Sequence, residues 1–91
     1  MASKLDEAGI KEKLAGLTGW SRAGDAIRKE YKFADFAEAM GFVTRVALRA
    51  EAMDHHPDIL VSYSRVTLTL STHDAGGLTE RDFRLAEKID A

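Results

Sequence analysis

The chain's three histidines, His55, His56 and His73, all fall in a carboxylate-rich stretch that also holds Glu51, Asp54, Asp58, Asp74 and Asp82. Imidazole has an unperturbed pKa of about 6.5, so it can both give and take protons near neutral pH. The stretch therefore suits proton transfer, with metal binding as a rival. Zinc fits the ligand types, but adjacent histidines chelate one ion poorly, and neither H-x-x-x-H nor H-E-x-x-H occurs. A Ser or Thr nucleophile lacks an elbow motif. Each member also has a plainer reading. His55 or His56, close to Pro57 at a helix end, can be a simple cap. Asp82 after Thr79 fits a capping box. Glu51 can be an exposed helix residue, and Trp20 can be core. The coincidence of all three imidazoles with the carboxylates weighs towards chemistry.

Elements must bring these residues together. Ser3 with Asp6 is a cap-and-return pair for a helix over Lys4–Ala15, ended by Gly16 and Gly19. Trp20–Arg22, a turn at Ala23-Gly24 and Asp25–Phe33 read as a hairpin. Ile27, Tyr31 and Phe33 share one parity, and Arg28, Glu30 and Lys32 the other. Asp35 with Glu38 opens a long helix to about Asp54, with Phe36, Met40, Val43, Ala47 and Ala50 as its apolar stripe. Gly41 inside it points to close packing against a neighbour. Pro57 ends the helix. Asp58–Ser62 and Arg65–Ser71 are two further strands, and Val66, Leu68 and Leu70 face one way. Ala75-Gly76-Gly77 is a loop, and Thr79 caps a final helix.

The expected fold is α+β, in the order α-β-β-α-β-β-α. A four-stranded antiparallel sheet has three helices on one face, covering Ile27, Tyr31, Val66, Leu68 and Leu70. The other face is solvated or meets another subunit. His55 and His56 leave the long helix's end in different directions. His73 follows the last strand and can close on them, so that one pocket holds an acid and a base.

Ninety-one residues imply a single domain over 1–91, with a modest core that oligomerisation would help. A net charge of −2 without a basic block argues against nucleic acid. The absence of cysteine excludes disulfides and thiolate chemistry. No apolar run approaches a membrane span, and the polar stretch Met1–Glu7 does not read as a signal peptide. A soluble cytoplasmic protein is expected.

The string Glu51-x-x-x-His55-His56-Pro57, then Tyr63, His73 and Asp82, resembles the signature of the pterin-4a-carbinolamine dehydratases. Gly41–Leu48 is similar to that family's long helix. Leu70–His73 and Gly77–Asp82 are similar to its last strand and final helix start. The turn after Trp20 is shorter than in the animal proteins. The resemblance implies a homodimer or homotetramer. It also implies dehydration of 4a-hydroxytetrahydropterin to quinonoid dihydropterin, without a cofactor. Such recycling of tetrahydrobiopterin would link the protein functionally to hydroxylases such as phenylalanine hydroxylase. By resemblance, the catalytic residues are His55, His56 and His73, with His55 and His73 as the acid and base and His56 chiefly binding and orienting the pterin while sharing in the proton transfer. Asp54–His56 and Ser71–Asp74 (Ser71, Thr72, His73, Asp74) line the site, while Glu51, Asp82 and Trp20 support it. The alternative is a dimerisation or transcriptional coactivator-type module using the long helix.

Overall fold

The computed structural model describes residues 3–91, and Met1 and Ala2 of the polar opening stretch lie outside it. Helix α1 spans Glu7–Ala15, strand β1 Ser21–Ala23, β2 Ala26–Lys32, helix α2 Phe36–Met53, β3 Asp58–Ser62, β4 Arg65–Leu70 and helix α3 Glu80–Asp90. A single 3₁₀ turn at His73–Ala75 precedes α3. The order is α-β-β-α-β-β-α, as the sequence predicts, and the four strands form one antiparallel sheet ordered β1-β2-β4-β3.

Alternation in the central strand sets the layers. Val66, Leu68 and Leu70 of β4 are fully buried, as is Ile27 of β2. They meet Phe83, Leu85, Ala86 and Ile89 of α3 and Ala39, Phe42, Val46 and Ala50 of α2 in one core. Ile10 is the buried anchor of α1. Each fully buried large aliphatic side chain contributes roughly 1.5–3 kcal/mol. Among the described residues, no helix is long and apolar enough to cross a membrane.

Several boundaries differ from expectation, each for a physical reason. Asp6, not Ser3, caps α1 by accepting from the Gly9 N–H at 2.8 Å. Residues 3–6 are not helical, because Leu5 donates its N–H to the Leu78 carbonyl at 2.8 Å. The first hairpin turns at Gly24-Asp25, one residue later than expected, because the tight two-residue turn needs the left-handed backbone Gly24 supplies (φ 61°). Strand β4 ends at Leu70 rather than Ser71.

The apolar stripe of α2 is only partly the expected one, since Ala50 is buried and Val43 packs half-buried against the core but the rest lies elsewhere. Its buried residues are Ala39, Phe42, Val46 and Ala50, with Met53 half-buried. Phe36 (51%), Met40 (38%) and Leu48 (68%) are exposed, and so is Ala47. The helix is apolar on two sides, and spacing alone does not say which side meets the sheet. Gly41 is exposed too. Among the described residues a Cβ there would meet only Arg45 Nη1 at 3.9 Å, so none of these neighbours requires the glycine.

The position of the α1 cap is directly testable. Asp6→Ala should lower stability to urea by roughly 0.5–2 kcal/mol. Ser3→Ala should change it by less than about 0.5 kcal/mol. Equal effects would place the cap wrongly.

Candidate active site

Helix α2 does not run on until Pro57 stops it. Asp54 adopts the left-handed conformation (φ 51°, ψ 43°) and donates its N–H to Glu51 O. His55 donates its own N–H back to Ala50 O at 3.1 Å. This pair of bonds is a Schellman closure, with Asp where glycine is commonest. It folds the chain back over the helix end and drives His55 inward, leaving His56 outside.

His55 is 6% exposed, and its Nε2 lies 2.5 Å from Oδ1 of Asp82, which is completely buried. The other carboxylate oxygen accepts the Thr79 N–H at 2.9 Å and the Thr72 hydroxyl at 2.9 Å. Thr72 and Thr79 are themselves buried, with their hydroxyls 2.8 Å apart. The proton directions follow from counting. The Thr72 hydroxyl has one hydrogen and gives it to Asp82, so Thr79 donates to Thr72. Thr79 in turn accepts the Arg81 N–H at 3.2 Å. As an ionised acceptor, Asp82 takes the proton on His55 Nε2, which leaves Nδ1 as the imidazole's free nitrogen. Among the described residues no buried side-chain nitrogen or oxygen lacks a partner, and Asp82 is the only partner of the His55 side chain. Nδ1 therefore lies at the edge of this buried network and is not wholly enclosed by it.

The remaining candidates sit around this pair. His56 is exposed, and its Nε2 is 2.8 Å from Glu51 Oε1, a solvent-exposed contact that adds little stability. His73 is exposed in the 3₁₀ turn directly after Thr72. It lines a cavity of about 290 Å³ with Asp25, Ala26, Ser71, Thr72, Gly76 and Gly77, and neither His55 nor His56 is in that lining. The link between His55 and the segment carrying His73 is thus the chain His55–Asp82–Thr72. Asp74 is exposed in the same turn. Asp58 is exposed at the start of β3. Thr72 exchanges backbone bonds with Gly77 at 3.0 and 3.3 Å, so its N–H and C=O are already paired.

Trp20 is placed apart from the histidines. It is 6% exposed and donates Nε1–H to Asp90 Oδ2 at 2.8 Å, at the opposite end of α3 from Asp82. Eight residues of helix separate the two carboxylates, or about 12 Å. Asp90 also accepts from Tyr31 at 2.5 Å and from Lys29 at 3.1 Å. Burial, then the bond to Asp90 and its charge, pushes the Tyr31 phenol well above its usual range. Among the described residues no three His, Asp or Glu side chains gather as a metal-binding group.

Two residues of the site region escaped the sequence reading. Arg81 Nη2 donates to the Asp54 carbonyl at 2.8 Å and so braces the turn that carries both histidines. Thr79 is a member of the Asp82 network as well as a cap. Nothing in the sequence marked Arg81. For Thr79 the signal was present, since the capping box already paired it with Asp82.

A buried acid–imidazole pair sits at the junction of a four-stranded sheet and two helices in a small α+β protein. Over residues 3–91 the chain matches the family described as pterin 4 alpha carbinolamine dehydratase, and it belongs to that family. A Roseiflexus sp. (strain RS-1) protein, provisionally named a pterin-4-alpha-carbinolamine dehydratase, is 53% identical over 90 residues, covering 99% of this chain and 97% of its own. The crystal structure of a Brucella melitensis protein described as a transcriptional coactivator/pterin dehydratase is similar, with TM-score 0.92 and 41% identity. That match covers 97% of this chain and 96% of the Brucella one. A pterin dehydratase-like protein identified as a RuBisCO assembly factor in the alpha-carboxysome shares the fold alone. Its TM-score is 0.63 at 22% identity, over 78% of this chain and 82% of that one.

Thr72→Val keeps the side chain's shape and deletes one donor to Asp82. It should cost about 1–3 kcal/mol in urea unfolding, as expected when a buried polar group loses a partner. An unchanged unfolding midpoint would show that the network is not bonded as described.

Proposed function

We propose that this chain removes water from a 4a-hydroxytetrahydropterin, giving quinonoid dihydropterin, by histidine general acid–base catalysis. The C4a–oxygen bond breaks and the hydroxyl leaves as water after taking a proton. N5 loses its proton, and its electron pair forms the new bond to C4a. The reaction needs one acid and one base, and electrons balance without an oxidant or reductant. The observation that carries this reading is His55, buried and held by Asp82 at 2.5 Å through Nε2, which leaves Nδ1 for the substrate.

His55 and His73 are the acid/base pair in this reading. Asp82 and Thr72 are positioning residues for them, and Arg81 positions the Asp54–His56 turn. His56 orients the pterin and, with Asp54, lines one side of its site. Ser71, His73 and Asp74 line the other side. The side chain of Thr72, bonded inward to Asp82, is better suited to positioning than to contact with substrate. Glu51 restrains His56. The product would return to the tetrahydrobiopterin cycle that serves aromatic amino-acid hydroxylases, in the cytoplasm.

A second reading, self-association or a coactivator-type contact, has its own observation. Phe36, Met40, Ala47 and Leu48 leave an apolar strip of α2 in solvent, and the Thr44 hydroxyl among them is satisfied by Met40 O at 3.0 Å. Apolar strips of this kind mark interfaces. A homodimer or homotetramer built on this face is compatible with catalysis.

His73→Ala and His55→Ala should each lower turnover of freshly prepared carbinolamine by about 10²–10⁴-fold, followed by ultraviolet absorbance, with the far-ultraviolet dichroism of the parent. His56→Ala should raise KM more than it lowers kcat. Parent rates in both His55 and His73 variants would end the acid/base assignment. Leu48→Glu should reduce the assembly size measured by light scattering while leaving the histidine network intact. An unchanged mass would move the interface elsewhere.

A further inference from the structure

A cavity of about 430 Å³ lies between the C-terminal half of α2 and α3, lined by Arg49, Ala52, Met53, Arg81, Arg84 and Lys88. Its volume is in the range of small-molecule sites. Four of its six lining residues are cations, and none is a carboxylate, in a chain whose net charge is −2. Arg81, Arg84 and Lys88 are spaced by three and four residues, so they stack along one face of α3. Arg49 faces them from α2, with Ala52 and Met53 as an apolar floor. Like charges at such spacings repel. Their neutralisation within the chain is slight. Glu80 is 3.9 Å from Arg84, but it is equally far from Lys13, and it is mostly exposed. Arg81 spends one of its five donors on the Asp54 carbonyl.

We propose that this groove binds a small ligand bearing a polyphosphate. The planar fork of an arginine matches phosphate oxygens two at a time, and a lysine adds a mobile point charge. Three arginines and one lysine around an apolar floor suit a chain of phosphates with a modest organic body. The site is separate from the cavity that His73 lines. It touches the histidines through one residue, since the guanidinium that would hold the anion also braces Asp54, next to His55. Phosphates on a nucleic-acid backbone present the same chemistry, but a groove lined by six residues is small for such a footprint.

The test is a titration of the full-length, ¹⁵N-labelled protein with sodium tripolyphosphate at a constant ionic strength of about 0.15 M. Saturable amide shifts at Arg49, Arg81, Arg84, Lys88 and Asp54, with a Kd below about 1 mM, are expected. The double variant Arg84→Ala/Lys88→Ala should bind at least about tenfold more weakly, with its remaining spectrum and its dehydratase turnover unchanged. Shifts that never saturate, or equal affinity in the double variant, would overturn the proposal. So would a ten-nucleotide single strand that binds these residues more tightly than tripolyphosphate.

Discussion

The structure turns on one buried carboxylate. Asp82 is fully excluded from solvent, and an ionised group there is tolerated only if hydrogen bonds replace its lost water. Three donors do so, and each comes from a different part of the chain. The Thr79 N–H belongs to the start of α3, the Thr72 hydroxyl to the segment after β4, and the His55 imidazole to the end of α2. Satisfying one charge therefore fixes the relative positions of three elements. It also decides which nitrogen of His55 is taken up by the carboxylate and which is not.

A second carboxylate does a similar job at the other end of α3. Asp90 gathers Trp20, Lys29 and Tyr31, tying the helix's last turn to β2 and to the chain before β1. Between the two acids the helix buries Phe83, Leu85, Ala86 and Ile89 against the sheet. Apolar burial supplies most of the adhesion, and the two polar staples set where the helix lies along it. With both ends pinned, the Asp82 end offers a stable platform for the exposed His73 and His56.

Helix α2 shows why one scaffold invites two readings. Its inner face packs on the core, while its outer face leaves Phe36, Met40 and Leu48 in water. The histidine network sits at the C-terminal end of α2, and this strip runs along the helix's outer face.

The order of elements, the antiparallel sheet and its buried face of Ile27, Val66, Leu68 and Leu70 were legible from alternation and caps, because those signals are local. The cluster of histidines and acids was legible for the same reason, as a matter of residue type and spacing. Orientation was not. The pattern of α2 allows either of two apolar faces to turn inward, and only contact with the sheet chose Ala39, Phe42 and Val46 over Phe36 and Met40. Likewise Asp82 read equally as a simple helix cap. Its partnership with His55, 27 residues away, exists only because the fold closes α2, β4 and α3 around a charge that must not be left without donors.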